Sequence, residues 1–157
     1  MNNLPMFTKV MSHDGHVSLL EHGYIENITV DGKTPALLKG KKIIDVNFSK
    51  NFIIIITDTP ELHQPLSWDI KTPMKETNLI ALSTMGELVW RIEDILGEIC
   101  YPFSLGFMIP ENEFEHYGKV FRTHFKRKHE YYVALSMSVG YLIDLTDMKF
   151  ISREGFK

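Results

Sequence analysis

A run of four isoleucines at residues 53–56 constrains the fold of this chain more than any other feature. It lies in the apolar segment 52–57, which is short and rich in β-branched side chains, and it therefore predicts a strand. Because successive side chains of a strand point to opposite faces, the run places apolar groups on both faces. Such a strand must be covered on both sides, and we expect it at the centre of a sheet. Pro60, which has no N–H for a sheet ladder, marks its end.

Period-2 patterning predicts further strands along the chain. Ile44, Val46 and Phe48 alternate with polar residues, as in a strand with one buried face. Residues 78–82 and 88–92 form a predicted hairpin, in which Gly86 stands where a type I turn with a bulge needs a positive φ. The other segments expected to be extended are residues 17–20, 24–30, 103–109, 131–136, 141–145 and 149–151, with Gly140 near a turn.

Residues 93–99 carry apolar side chains at helical spacing and predict a short helix or 3-10 turn. The expected fold is therefore mainly β, with antiparallel sheets of blade-like hairpins and one or two short helices. A length of 157 residues suits one domain with its own hydrophobic core. We expect residues 1–157 to form a single globular domain.

Composition and charge exclude several classes of protein. A hydrophobic content of 44% argues against a disordered chain, and a net charge of −3 argues against nucleic-acid binding driven by bulk positive charge. Met1 is not followed by the pattern of a secretory signal. The apolar run at residues 52–56 is far shorter than the roughly 20 residues that span a bilayer. We therefore expect a cytoplasmic protein with no nucleic-acid or membrane partner.

No linear motif points to catalysis. The chain contains neither a Gly-x-Ser-x-Gly nucleophile elbow nor a Gly-x-x-x-x-Gly-Lys phosphate loop, and its glycines are scattered singly. Cys100, beside an isoleucine and a tyrosine, fits a small buried side chain better than a reactive thiolate. The sequence predicts no enzyme and no cofactor.

The histidines give a weak indication of metal binding. His13, His16 and His22 lie close together with Asp14, and imidazole and carboxylate are both metal ligands. A solvated glycine-containing turn explains them better. The later histidines, His116, His124 and His129, have no recognisable ligand spacing. We therefore expect no metal site.

An acidic segment is the strongest candidate for a binding surface. Glu111, Glu113 and Glu115 alternate with other residues, so an extended segment would place three carboxylates on one side. They form either a docking surface for a basic partner or part of a solvated hairpin, balanced by Arg122 and the basic residues 126–128. Trp68 and Tyr117 are candidate aromatic anchors beside such a surface, or ordinary core or rim residues.

The second candidate binding surface is the long connection over residues 59–76, which contains three prolines. Long loops in compact domains are uncommon and often functional, although an inserted loop packed on the rim of the sheet is the alternative.

Residues 78–92 resemble a blade of a β-propeller, in which a strand ends near a glycine turn and the next strand carries a tryptophan, here Gly86 and Trp90. Residues 140–151 are similar to the later strands of such a blade. A closed propeller needs at least four blades of roughly 40 residues, so this chain holds isolated blade-like sheets. Small β proteins of this kind resemble the immunity proteins of bacterial polymorphic-toxin and contact-dependent growth inhibition systems. The resemblance implies action by binding and carries no active-site residue onto this chain.

The sequence favours a stoichiometric inhibitor, an immunity protein that covers the active site of a cognate toxin, expected to be a basic nuclease. Carboxylates would then take the place of substrate phosphates. The predicted partner-binding residues are Asp58, Glu61, Trp68, Glu111, Glu113 and Glu115. The alternative is a small-ligand or metal-binding β module, or an enzyme whose site residues are dispersed in sequence. A third interpretation is an interaction subunit that pairs through an exposed sheet edge.

Overall fold

The computed structural model describes residues 8–11, 17–21, 25–30, 36–38, 40–63, 77–83, 86–97 and 102–155. The N-terminal sheet consists of β1 (Thr8–Met11), β2 (Val17–Glu21) and β3 (Ile25–Val30). The middle sheet consists of β4 (Ile43–Phe48), β5 (Ile53–Thr57), β6 (Leu79–Leu82) and β7 (Leu88–Arg91). The C-terminal sheet consists of β8 (Leu105–Ile109), β9 (Tyr131–Ser136), β10 (Val139–Asp144) and β11 (Lys149–Gly155).

Short helical segments connect these strands. Helix α1 (Ile92–Leu96) follows β7, and helix α2 (Phe114–Phe121) lies between β8 and β9. Single 3-10 turns span Ala36–Leu38, Pro60–His63 and Glu111–Glu113. In the part of the chain that the structure describes, no helix is long and apolar enough to cross a membrane.

Each sheet is an antiparallel meander, in which the order of the strands in space follows their order in the chain. This confirms the prediction of a mainly β fold with antiparallel sheets and one or two short helices. Strand β1 had no counterpart among the predicted strands. The division into a single domain over residues 1–157 stays a prediction.

The isoleucine run forms β5, an interior strand of the middle sheet between β4 and β6. Ile54 and Ile56 pack into the core between the middle and C-terminal sheets, whereas Ile53 and Ile55 face the opposite side. All four side chains are buried. The prediction of a central strand covered on both faces is confirmed.

The alternation in β4 does not place all its apolar residues on one face. A bulge lies between Ile43 and Asp45, where the register with β5 shifts. Ile44 therefore packs against the core between the sheets, while Val46 and Phe48 pack on the opposite side of the middle sheet. The prediction of one buried face was wrong at Ile44, because an extra residue in a strand reverses the direction of the side chains beyond it.

The core between the two four-stranded sheets is built from side chains that alternate along their strands. The middle sheet contributes Ile54, Ile56, Leu79, Ala81 and Trp90, and the C-terminal sheet contributes Tyr132, Ala134, Tyr141 and Ile143. Phe103, which leads into β8, is fully buried in the same core and contacts Tyr141 edge to face. These two sheets thus share one hydrophobic core.

Helix α2 covers the other face of the C-terminal sheet. Phe121 is buried with Ile109, Tyr131, Val133 and Leu142 of that face. Phe114, Tyr117 and Val120 of the helix pack against the same cluster. The helix thereby positions its outward side, and the acidic residues before it, over the C-terminal sheet.

The predicted hairpins form with small differences. β6 pairs with β7, and Gly86 has a φ of 84°, as predicted. The turn between β9 and β10 is made by Met137 and Ser138, which both have positive φ, and Gly140 lies in β10 opposite Leu135. Strand β8 is extended as predicted, and its first residue, Leu105, is 48% exposed.

The helix predicted within residues 93–99 is α1, which begins at Ile92 and ends at Leu96, while residues 98 and 99 lie outside the described residues. Its last turn is closed by Gly97 in the left-handed conformation, which glycine adopts without steric cost.

Candidate functional site

The acidic segment is helical, and the prediction that it is extended was wrong. After Pro110, residues Glu111–Glu113 form a 3-10 turn that continues into α2. A helical signal was present, because Phe114, Tyr117 and Phe121 recur at i, i+3 and i+7. Alternating carboxylates all share one side of a strand, whereas in a helical segment the middle one points away from the other two. The three glutamates at the start of α2 are all exposed.

Two of these glutamates form weak ion pairs. Glu111 lies 3.9 Å from Arg127, and Glu115 lies 3.9 Å from Lys119, measured between carboxylate oxygen and side-chain nitrogen. The side chains of Glu111 and Glu115 are 60% and 90% exposed. Ion pairs this exposed contribute about 0–1 kcal/mol to stability. The carboxylates can therefore exchange these partners for others at little cost.

A cavity of about 350 Å³ opens beside the acidic segment. It is lined by Phe114, Glu115, Gly118, Lys119, Thr123, His124 and Phe125. Phe114 and Phe125 contact each other edge to face, with ring centroids 5.1 Å apart, and both pack on the Tyr131 ring. The cavity thus combines aromatic walls with charged groups at its rim, a lining suited to a long side chain of a partner.

Of the other predicted partner-binding residues, Asp58 and Glu61 lie in elements that follow the middle-sheet strand β5. Asp58 follows β5 of the middle sheet, where its backbone N–H donates to the Lys42 carbonyl and its carboxylate accepts from the Thr59 N–H. Glu61 lies in the 3-10 turn Pro60–His63. Trp68 lies outside the described residues, as do Cys100 and the histidines at positions 13, 16 and 22. The acidic segment follows β8 of the C-terminal sheet, whereas Asp58 follows β5 of the middle sheet.

A second cluster of polar side chains, which sequence reasoning missed, lies where β9 begins and β10 ends. His129 precedes β9, Asp144 ends β10, and Asp147 belongs to the turn before β11. His129 Nδ1 lies 2.8 Å from Asp144 Oδ2 and 3.8 Å from Asp147 Oδ2. We call these three residues the His129 cluster. Their spacing in the chain gave no signal, because only the pairing of β9 with β10 brings position 129 to position 144.

Hydrogen bonds fix the orientation of the Asp144 carboxylate. Its Oδ1 accepts the backbone N–H groups of Thr146 and Asp147, at 2.9 and 3.0 Å. Its Oδ2 is thereby left facing His129. The Asp144 side chain is 6% exposed, and the side chains of His129 and Asp147 are 20% and 44% exposed. The cluster therefore has one buried carboxylate and two members that solvent can reach.

Tyr131 stands beside the same cluster. Its hydroxyl accepts the Lys126 backbone N–H at 2.8 Å, and its ring stacks with His129 at a centroid distance of 6.3 Å. Burial raises the pKa of Tyr131, and the negative charges of Asp144 and Asp147 add to the rise. This hydroxyl therefore stays protonated at neutral pH and serves as a neutral support for the cluster.

A third polar group joins the edges of the middle and C-terminal sheets, and we call it the seam. Asp45 Oδ2 accepts the Gly106 N–H at 3.0 Å, and the Asn47 amide donates to the Gly106 carbonyl at 3.0 Å and to Asp45 Oδ2 at 3.0 Å. Burial raises the pKa of Asp45, while these hydrogen bonds oppose the rise. Gly106 belongs to β8, an edge strand, so side chains of β4 satisfy backbone groups that a neighbouring strand would otherwise pair. The seam therefore has a structural role, which is to join the two sheets.

Comparison with known proteins found no matching family model, no matching curated protein and no matching solved structure.

Proposed function

We propose that this protein is a stoichiometric inhibitor, of the immunity-protein type, that binds the active site of a cognate bacterial toxin domain. The observation that carries the proposal is the surface around the start of α2. Glu111, Glu113 and Glu115 are all exposed there, within five consecutive residues. The expected partner is a basic nuclease domain, whose Lys and Arg side chains would meet these carboxylates in place of substrate phosphates.

The chemistry of this surface supports binding to a basic protein in two ways. Its ion pairs, Glu111 with Arg127 and Glu115 with Lys119, are exposed, and in each the carboxylate oxygen lies 3.9 Å from the side-chain nitrogen. Basic groups of a partner can therefore take the place of Arg127 and Lys119. The adjacent aromatic cavity can accept an anchoring side chain, and buried anchors carry most of the binding energy in protein interfaces. Such an inhibitor would act in the cytoplasm, without a catalytic step and without a cofactor.

The experiment begins with identification of the partner. The full chain, tagged, is used to capture proteins from its own organism, and the product of the neighbouring gene is included as a direct candidate. The proposal expects one partner at one-to-one stoichiometry, toxic when expressed alone and harmless when co-expressed with this chain. A captured protein that is not toxic, or whose activity this chain leaves unchanged, would contradict the inhibitor function.

Charge reversal then tests the surface. We expect Glu111→Lys and Glu113→Lys each to slow association with the partner by roughly tenfold at low salt, since like charges remove electrostatic steering. Glu87→Lys is the matched control, because Glu87 is also exposed but lies at the β6–β7 hairpin of the middle sheet. Association rates are measured by surface plasmon resonance at low and high salt. Equal rates for all three variants would exclude the acidic segment from the interface.

A second candidate function, a metal-binding module, is favoured by the His129 cluster.

A further inference from the structure

We propose that His129, Asp144 and Asp147 bind one divalent transition-metal ion, with Zn²⁺ as the expected occupant. The three residues each offer one ligand atom, and these atoms lie within 4.8 Å of one another. Imidazole nitrogen and carboxylate oxygen are both zinc ligands, and three protein ligands with an open position for water are typical of reactive zinc sites. None of the three ligands belongs to the inhibitor surface on α2, although the Tyr131 ring contacts both that surface, at Phe114 and Phe125, and His129.

The spacing of the ligand atoms fits an ion between them. Ligands about 2.0–2.2 Å from a tetrahedral Zn²⁺ lie about 3.4 Å from one another. The observed distances from His129 Nδ1, 2.8 Å to Asp144 Oδ2 and 3.8 Å to Asp147 Oδ2, lie on either side of that value. Asp147 is the more exposed carboxylate and lies in a turn, so it is the ligand with the most freedom to adjust its position.

Charge provides the second argument. Two carboxylate oxygens face a single imidazole nitrogen, which can donate only one hydrogen and so can serve only one of them. Lys126 approaches Asp147 at 3.9 Å, but its side chain is 69% exposed, and such a pair gains little. A negative charge is therefore left beside a buried carboxylate, and a divalent cation neutralises it. The ion would take the place of the hydrogen between His129 and Asp144, with the imidazole proton on Nε2.

The backbone already holds the ligands in place. Leu145 N–H donates to the Glu130 carbonyl at 2.8 Å, and Glu130 N–H donates to the Thr146 hydroxyl at 2.9 Å. These two bonds tie the segment that carries His129 to the turn that carries both aspartates. Binding an ion therefore requires little ordering of the chain, which favours affinity.

The test is a titration of the metal-free full chain with ZnCl₂, in which binding is measured by isothermal titration calorimetry. We expect one equivalent of Zn²⁺ to bind, and Asp147→Asn to weaken binding by about tenfold or more, because it replaces a charged ligand with a neutral amide. Long-range ¹H–¹⁵N NMR spectra should show the His129 proton moving from Nδ1 to Nε2 on binding. MgCl₂, whose ion prefers oxygen ligands alone, is expected to bind far more weakly.

The N-terminal histidines provide the matched control. The double variant His13→Ala/His16→Ala should bind Zn²⁺ as the unaltered chain does. The proposal is overturned if that variant loses binding, if Asp147→Asn keeps it unchanged, or if no Zn²⁺ binds. Thermal melts of the metal-free variants show whether a lost signal reflects misfolding, and Asp147, being exposed, is the ligand whose replacement disturbs the fold least. If Asp147→Asn melts early, His129→Gln is measured in its place.

Discussion

Gly106 has no room for a side chain. A Cβ atom added to it would overlap the hydroxyl and ring of Tyr132, which is buried in the core between the two four-stranded sheets. We expect Gly106→Ala to lower the free energy of unfolding by about 3 kcal/mol, since overpacking forces core side chains or backbone to shift. Urea denaturation measures the change. Gly155→Ala is the control, because no atom lies within 4 Å of its added Cβ.

Removal of the Tyr132 hydroxyl tests whether this overlap is the cause. The hydroxyl is buried and hydrogen-bonds to no group of the described residues, and burial raises its pKa well above the ordinary value of tyrosine. Tyr132→Phe should therefore raise the free energy of unfolding by about 1 kcal/mol, because it removes a buried polar group without a partner. In the Tyr132→Phe background, Gly106→Ala should cost less. An equal cost in both backgrounds would show that the overlap lies elsewhere.

At the scale of elements, the turn between β9 and β10 is strained, because its residue types do not favour the backbone conformation that the turn requires. Met137 and Ser138 have φ values of 51° and 70°, in the left-handed region that asparagine and glycine favour. We expect Met137→Asn/Ser138→Gly to stabilise the protein by about 1 kcal/mol, because each native residue pays a steric cost there. Thermal denaturation with a van't Hoff analysis measures the gain. Ser104→Gly, an exposed serine without a positive φ, should be neutral or destabilising, and a similar gain there would contradict the explanation.

The error at residues 111–115 also belongs to this scale. Alternating glutamates suggested a strand, yet the apolar residues that follow them have helical spacing. The helix forms because Phe114 and Phe121 can then pack together on the C-terminal sheet. Acidic residues in a first helical turn also interact favourably with the helix dipole. Burial of the apolar face of α2 therefore decided the local structure, and the alternation of the glutamates did not.

At the scale of the whole molecule, the seam couples stability to pH. Asp45 is half-buried where the edges of two sheets meet, and burial raises its pKa in the folded state. A carboxyl group with a raised folded pKa binds its proton more tightly when the chain is folded. Its contribution to the free energy of unfolding therefore falls as pH rises from its unfolded pKa of about 3.9 to its folded pKa, and is constant above that.

Comparison with Asp45→Asn isolates this effect. The free energy of unfolding of the unaltered chain, measured relative to the variant by urea denaturation, should decrease as pH rises through that window. The asparagine oxygen can still accept the Gly106 N–H, and the Asn47 amide still donates to the Gly106 carbonyl, so the seam keeps both of its bonds between the sheets. A difference that does not vary with pH, or that grows with it, would show that Asp45 is not penalised by burial.

By itself the sequence determined most of the strands and the position of the glycine in the β6–β7 turn. The isoleucines of β5, the β6–β7 hairpin with Gly86 and the strand Tyr131–Ser136 could all be predicted, because side-chain alternation and turn chemistry act over a few residues. The exposed glutamates were also visible as candidate ligands for a basic partner. Their arrangement around a helix was not, since it depends on what the next turn packs against.

Only the tertiary structure decided which distant residues meet. The pairing of β9 with β10 brings His129 to Asp144, and the meeting of two sheet edges brings Asp45 to Gly106. The bulge in β4 likewise reverses Ile44 without a local signal. Such contacts follow from strand register and sheet packing, which minimise the free energy of the whole chain. A pattern of neighbouring residues therefore does not predict them.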